Sequence, residues 1–173
     1  MGKGRRGIKI MGNSTKGIDL SGTHLPVLAK LLSVTNGAVL ELGAGYNSTP
    51  LLYWTCKADG RHFESYENYK DWCDKMGEFT KYTDDWNKLD IDSRRWSMVL
   101  IDLRPALSRK DQAKRLMNNA DFIILHDSEP EIDRFYKYSW IYKHFKFRYD
   151  FTRVKPNTTI LSNFIDPNTI FKT

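Results

Sequence analysis

The chain has 173 residues, of which 40% are hydrophobic and 28% are charged, and its formal net charge is +6. This length suits one domain with its own core, which we predict to span residues 1–173. No apolar run approaches the ~18 residues of a membrane-spanning helix. The basic N-terminus lacks the apolar stretch of a secretory signal, so we expect no membrane partner. The positive charge would tolerate an acidic or RNA partner without specifying one.

The chain begins with a segment unlike the rest. Residues 1–17 are rich in Gly, Lys and Arg with few apolar positions, which predicts a flexible or lid-like segment. Apolar residues at helical spacing then predict a helix over 24–34. Cys56 and Cys73 show no metal-ligand spacing, so we expect free thiols in a reducing, cytoplasmic compartment.

A glycine turn follows the first apolar run of strand length. Gly43 and Gly45 separate that run from Ser48-Thr49-Pro50 and a new apolar run. Glycine at both positions would allow positive φ and let a ligand approach bare backbone. Ser48 or Thr49 would cap a helix, and Pro50 suits its first turn. Such turns hold nucleotide-like ligands at the carboxyl ends of parallel strands.

The rest of the chain alternates predicted strands with helices. Strands are predicted over 62–67, 79–82, 97–101 and 121–125, with helices over 51–57, 69–79, 108–118 and 132–140. Trp72, Met76 and Phe79 would form a core stripe, and Ser108 with Asp111 a capping box. Segments 145–151 and 158–161 flank a turn and predict a β-hairpin.

This order predicts an α/β fold. We expect a doubly wound, mostly parallel seven-stranded sheet, with helices on both faces and an antiparallel C-terminal hairpin strand. The core would occupy residues 24–164.

Several predicted strands end in acidic residues. Glu67, Asp102 and Asp127 follow three of them. Because the carboxyl ends of parallel strands meet at one edge of a sheet, these acids should surround the glycine turn. The lysine of a Walker loop is missing, and Ser48 stands where a dinucleotide fingerprint has its third glycine. An acidic, glycine-edged crevice therefore suits a cationic ligand that carries a nucleoside.

These motifs together resemble the class I S-adenosylmethionine-dependent methyltransferases. The features that carry the resemblance are Glu41-Leu42-Gly43-Ala44-Gly45, the acidic strand end at Glu67, the later aspartates and the closing hairpin. The resemblance covers about residues 24–164. It implies a Rossmann-like fold, S-adenosylmethionine as methyl donor and S-adenosylhomocysteine as product.

The resemblance also implies contacts with the cofactor. Gly43, Ala44 and Gly45 would pass beneath its methionine and ribose, and Glu67 would accept both ribose hydroxyls. Asp84 or Asp85, with Trp86, would lie near adenine, and Asp102 would face the sulfonium. The full set of predicted cofactor residues is Glu41, Gly43, Ala44, Gly45, Tyr46, Asn47, Glu67, Asp84, Asp85, Trp86 and Asp102. Plain structural roles stay open: a tight turn for the glycines, a helix-end charge for Glu67 and a solvated turn for the Asp84-Asp85 pair.

The methyl acceptor depends on residues across from the glycine turn. A hydroxyl acceptor must lose a proton, so we predict Asp102, His126 and Asp127 as catalytic residues, with His126 a candidate base. The His-Asp strand end resembles small O-methyltransferases of sugars and secondary metabolites. We therefore predict O-methylation of a small-molecule or glycan hydroxyl. A structural hydrogen bond at the strand end is the alternative for His126.

A divalent cation is a further expectation from resemblance. Asp102 and Asp127 resemble the metal site of catechol-type O-methyltransferases, although Ser128 stands where those enzymes have Asn. Their oxygens would suit Mg²⁺ or Ca²⁺.

RNA is the alternative acceptor. Ribose 2′-O-methyltransferases of this fold use a Lys-Asp-Lys-Glu tetrad, and Lys16, Asp102 and Lys143 match three members by rough position. The hairpin supplies no Glu, and the Asn/Asp-Pro-Pro-Tyr signature of DNA amino-group methylation is absent. A basic patch beside the crevice, either for phosphates or simply a solvated helix face, would comprise Arg104, Arg109, Lys110, Lys114 and Arg115. A non-catalytic cofactor-binding module and a homodimer also stay open.

Overall fold

A computed structural model describes residues 22–172. The predicted flexible or lid-like segment 1–17, including Lys16, lies outside the described residues. The strands are β1 Val39–Leu42, β2 Phe63–Glu67, β3 Lys81–Tyr82, β4 Trp96–Ile101, β5 Ala120–His126, β6 Phe147–Phe151 and β7 Thr158–Ser162. The helices are α1 Leu25–Val34, α2 Ser48–Ala58, α3 Lys70–Met76, α4 Ser108–Leu116, α5 Asp133–Tyr136, α6 Ser139–Tyr142 and α7 Asn168–Phe171.

All seven strands form one sheet in the order β3-β2-β1-β4-β5-β7-β6. The first five are parallel, and β7 runs antiparallel to both of its neighbours. Leu42 at the end of β1 lies opposite Tyr66 of β2 and Ile101 of β4, so three strands end at the same level. The predicted α/β fold, with its mostly parallel sheet and antiparallel hairpin strand, is confirmed.

Side chains alternate between two cores, one on each face of the sheet. One core joins sheet residues to α4 and α6 and includes Leu40, Val99, Ile123, Leu116 and Ile141. The other joins the sheet to α1 and α2 and includes Val39, Met98, Phe122, Leu31 and Leu52. Successive strand residues point to opposite faces, so a run of apolar residues serves both cores. Helices thus cover both faces, as predicted.

The predicted helix caps are wrong. α2 begins at Ser48, so Ser48 and Thr49 lie inside its first turn, and Asn47 at the N-cap makes no side-chain capping bond. α4 begins at Ser108, with Leu107 at its N-cap and no side-chain capping bond. The third strand is shorter than predicted, because residues Gly77–Phe79 form a 3-10 turn. Within residues 22–172, none of the helices has the length and apolar character needed to cross a membrane.

Candidate active site

A cavity of about 720 Å³ opens at the carboxyl ends of the parallel strands. Small-molecule sites typically fall between about 300 and 1,000 Å³. The residues that line it are His24, Ala44, Gly45, Tyr46, Asn47, Ser48, Glu67, Asn68, Tyr69, Trp72, Asp102, Arg104, Arg109, His126 and Asp127. The glycine turn, Glu67 and the predicted catalytic residues therefore share one space.

Gly43 makes room for the neighbouring strand rather than for a ligand. Its φ is +95°, and a Cβ there would lie 2.5 Å from the backbone nitrogen of Leu103 and 2.6 Å from the carbonyl carbon of Asp102. Gly45 does not have positive φ, contrary to the prediction. Gly43 lies outside the cavity lining, so a direct cofactor contact at this position gains no support.

Glu41 lies beneath the turn and does not line the cavity. Its side chain is fully buried, and its Oε2 accepts hydrogen bonds from Thr49 Oγ1 at 2.7 Å and Ser65 Oγ at 2.6 Å. Thr49 Oγ1 also accepts a bond from the Gly45 N–H at 2.9 Å. Burial raises the pKa of Glu41 to about 7, although hydrogen bonds from neighbouring hydroxyls oppose the shift. Glu41 therefore shapes the turn from below.

Glu67 is held at the cavity by three backbone amides. Its Oε1 accepts bonds from the N–H groups of Asn68 at 2.9 Å and Tyr69 at 2.8 Å. Its Oε2 accepts a bond from the Ala44 N–H at 3.1 Å, which joins the end of β2 to the glycine turn. Because a carboxylate has about four acceptor positions, the group keeps capacity for ligand hydroxyls.

Trp72 lines the cavity, although its helical spacing predicted a core position. Its Nε1 donates to the Ala44 carbonyl at 2.7 Å, and its ring centroid lies 4.4 Å from that of Tyr46. The position was readable in principle, since Trp72 lies in the first turn of α3, just after the carboxyl end of β2. The turn from Ala44 to Tyr46 is thus braced by an indole.

The predicted adenine contacts lie outside the cavity lining. Asp84 is exposed and pairs with Lys88 at 3.2 Å. Asp85 caps a 3-10 turn through a bond from the Asn87 N–H. Trp86 is buried in the core, where its Nε1 donates to a carbonyl. All three residues therefore bond to other parts of the protein, and a contact with adenine gains no support at these positions.

Arg109 lies between the two aspartates at the ends of β4 and β5. Its Nη2 is 2.7 Å from Asp102 Oδ1, and its Nη1 is 3.0 Å from Asp127 Oδ2. Its Nε donates to the Leu103 carbonyl, and the Tyr136 hydroxyl donates to Asp127 Oδ2 at 3.0 Å. Asp127 has φ +56°, which is uncommon for a residue other than glycine. The sequence placed Arg109 on a basic surface patch, but its side chain is buried in the site.

This arrangement does not fit a divalent cation. Oxygens or nitrogens of Asp102, His126 and Asp127 lie within 4.8 Å of one another, as a metal site would require. However, the Arg109 guanidinium already pairs with both carboxylates. Burial alone would raise the pKa of Asp102, but bonding to His126 and the charge of Arg109 outweigh it and lower the pKa. The predicted Mg²⁺ or Ca²⁺ site therefore gains no support.

His126 donates from both ring nitrogens. Its Nδ1 lies 3.3 Å from Asp102 Oδ2 and 3.6 Å from Asp127 Oδ1. Its Nε2 lies 3.0 Å from Thr23 Oγ1, whose own proton goes to the Pro156 carbonyl. Burial lowers the pKa of His126, but the two carboxylates outweigh burial, and the net pKa is raised. An imidazolium of this kind has no lone pair with which to accept a proton.

His24 packs against His126 and is the neutral member of this pair of histidines. Its side chain is 2% exposed, and its ring centroid lies 4.5 Å from that of His126. Neither of its ring nitrogens has a hydrogen-bond partner among residues 22–172. Burial and the charge of His126 lower the pKa of His24 to about 4. Nothing in the local sequence marked this residue, which precedes an ordinary apolar helix.

Further buried polar atoms without partners flank the two histidines. They are Ser128 Oγ, Glu129 Oε2, Asn157 Oδ1 and Thr158 Oγ1, again among residues 22–172. Thr158 pairs with His126 in the sheet, and the Ser128 N–H donates to the Asn157 carbonyl. Buried polar atoms normally have partners, so water or a hydroxyl-bearing ligand would satisfy these.

Comparison with known proteins gives structural relatives only. No family model and no curated protein matches the sequence. The METTL16 MTase domain superposes with a TM-score of 0.50 at 10% identity, covering 87% of this chain and 70% of that chain. A human methyltransferase 10 domain containing protein gives 0.46 at 10% identity, over 87% of this chain and 85% of that chain. TrmK of M. capricolum, solved with S-adenosylhomocysteine, gives a TM-score of 0.44 at 11% identity, covering 78% of this chain and 66% of that chain. At such identities the METTL16 likeness speaks to the fold alone, and with the strand order it shows that the chain has the class I methyltransferase fold.

Proposed function

We propose that the chain is an S-adenosylmethionine-dependent methyltransferase that methylates a hydroxyl oxygen. One observation carries the proposal: Glu67 and the cluster of Asp102, Arg109 and His126 line the same cavity at the carboxyl ends of the strands. Ligands of open α/β folds bind at that edge.

The residues at this edge fit a cationic nucleoside. Glu67 offers a carboxylate fixed by three amides, which suits a pair of ribose hydroxyls. Tyr46 and Trp72 add aromatic surface beside the turn. Asp102 contributes negative charge where a sulfonium would lie. When bound, S-adenosylmethionine supplies an activated methyl group.

His24 is suited to receive the proton of the acceptor. Its free ring nitrogens are buried at the cavity, whereas both nitrogens of His126 are engaged. An alkylated hydroxyl is a strong acid until it loses its proton, so even a weakly basic imidazole is able to take that proton. His126, held by Asp102 and Asp127, then positions the ring of His24.

Two acceptor classes fit a hydroxyl-directed site. A small-molecule or glycan hydroxyl would fit beside His24, which lines the cavity and whose ring nitrogens have no partner among residues 22–172. A ribose hydroxyl of RNA would fit equally, and the lysines and Trp140 of a second cavity favour it.

The cofactor assignment is tested by calorimetry with S-adenosylmethionine and S-adenosylhomocysteine. Glu67→Ala should weaken binding by about 1–3 kcal/mol, because it removes a charged acceptor from buried donors. Glu64→Ala is the matched control, since Glu64 lies on the same strand but pairs with His62 and Lys81 outside the cavity. Equal affinity in the wild type and Glu67→Ala would contradict the proposed role of Glu67. Absence of binding by folded wild-type protein would contradict the function itself.

The role of His24 is tested with a labelled-methyl assay over sugars, catechols and short RNAs. His24→Gln should slow transfer by about 10²-fold or more, the usual contribution of a proton acceptor, with unchanged cofactor affinity. His62→Gln, an exposed histidine, serves as control. Full turnover in His24→Gln would remove His24 from the chemistry. Cofactor binding without transfer to any acceptor would instead favour a non-catalytic module.

A further inference from the structure

A second cavity, of about 550 Å³, lies between α4 and the segment that follows α5. Lys110 and Lys114 of α4 line one side, and Trp140 and Lys143 line the other. We propose that this groove, the α4–α6 groove, binds a single-stranded RNA segment that carries the methyl acceptor. The inference rests on the proposed methyltransferase function and names its substrate class.

The α4–α6 groove contains unpaired positive charge. Lys110 pairs with Asp111 at 2.6 Å, but Lys114 and Lys143 have no ion-pair partner within residues 22–172. Two arginines of the predicted basic patch are already engaged, Arg109 by two aspartates and Arg115 by Asp92 and backbone carbonyls. Lys110 and Lys114, the two lysines of the predicted patch on α4, therefore both face the α4–α6 groove.

Trp140 gives the groove an aromatic surface. It is 63% exposed, and Lys137 Nζ lies 5.5 Å from its ring centroid. A large aromatic ring between unpaired lysines matches the requirements of a nucleic-acid strand, whose phosphates pair with cations while its bases stack. Because stacking needs unpaired bases, the arrangement favours a single strand over a duplex.

The groove leads to the candidate active site. Lys110 directly follows Arg109, whose guanidinium lies between the two catalytic aspartates. The Tyr136 hydroxyl donates to Asp127, and the Arg109 Cζ lies 4.8 Å from the Tyr136 ring centroid. Helix α6 begins three residues after Tyr136. A strand bound in the groove would therefore lie next to the elements that carry Arg109 and Tyr136.

The test is fluorescence anisotropy with a labelled single-stranded RNA of mixed sequence, about 12 nucleotides long, titrated with the full chain at several salt concentrations. Lys114→Gln with Lys143→Gln should weaken binding about 20-fold at 0.1 M salt and reduce the salt slope by about 0.7 per lysine. Lys30→Gln with Lys57→Gln is the matched control, because it removes the same charge from α1 and α2 on the opposite face. Trp140→Ala should weaken binding on the order of 10-fold, through lost stacking.

Two results would overturn the inference. One is equal weakening by the groove pair and the control pair, which would show general attraction to a basic protein. The other is unchanged RNA affinity in Trp140→Ala together with equal competition by dextran sulfate, which has charge but no bases. Calorimetry of the same variants with S-adenosylmethionine separates the two proposals, since groove variants should bind the cofactor as the wild type does.

Discussion

Two carboxylates of the methyltransferase-like motifs lie in opposite environments. Glu41 is sealed beneath the turn among hydroxyl donors, and Glu67 faces the cavity among backbone amides. Burial raises the pKa of Glu41 to about 7, so in mildly acidic solution this side chain is largely protonated. The motif therefore combines a structural acid and a ligand-facing acid within one sheet edge.

Glu41 makes stability depend on pH. Below about pH 4.5 the carboxyl is protonated in both the folded and unfolded chain, and its contribution is fully present. As pH rises toward 7, only the unfolded chain releases the proton, so about 3 kcal/mol is lost. Glu41→Gln should remove that loss, giving a variant more stable than the wild type at pH 8. Urea unfolding at pH 5 and pH 8 measures the difference.

Glu78→Gln, at an exposed position on the 3-10 turn, is the control for a neutral substitution. If the wild type and Glu41→Gln lose the same free energy of unfolding between pH 5 and pH 8, Glu41 is ionised in the folded protein.

Sequence reasoning located site residues that end strands and missed those on other elements. Glu67, Asp102 and Asp127 were predictable because parallel strands end at one edge. Arg109 and His24 were not, since each lies at the start of a helix and reaches the site through packing. A buried arginine at a helix start is indistinguishable in sequence from a solvated one.

At the scale of elements, the turn between β1 and α2 is specified by close backbone packing. Gly43 is pressed against the chain that leaves β4, and Thr49 links the Gly45 amide to Glu41. The sequence predicted the strand, turn and helix in order. It misplaced the cap because the Thr49 hydroxyl, which resembles a capping group, bonds to Glu41 below.

Gly43→Ala should destabilise the fold by about 3 kcal/mol or more, since it combines a positive φ with a backbone clash at 2.5 Å. Gly60→Ala is the matched control: φ there is +66°, and no atom lies within 4 Å of the added methyl group. It should cost about 1 kcal/mol from conformation alone. Chemical denaturation measures both, and equal costs would contradict the close approach of β4.

At the scale of the molecule, periodicity predicted the two-faced sheet but not its strand order. Successive apolar residues of a strand, such as Val39 and Leu40, point to opposite faces of the sheet, so each face requires a core. The insertion of β7 between β5 and β6 was not predicted, because no local signal tells a hairpin which of its strands pairs with the sheet.

That insertion sets the order in which the site is assembled during synthesis. His126 is bracketed by Thr158 of β7 and by Thr23, whose hydroxyl is anchored to the Pro156 carbonyl. The contacts around His126 thus join positions 103 and 133 residues apart in the chain. A nascent chain that has not yet released β7 from the ribosome lacks the neighbours of His126. The surroundings of His126 are consequently completed only after β7 has emerged, later than the edge formed by β1 and β2.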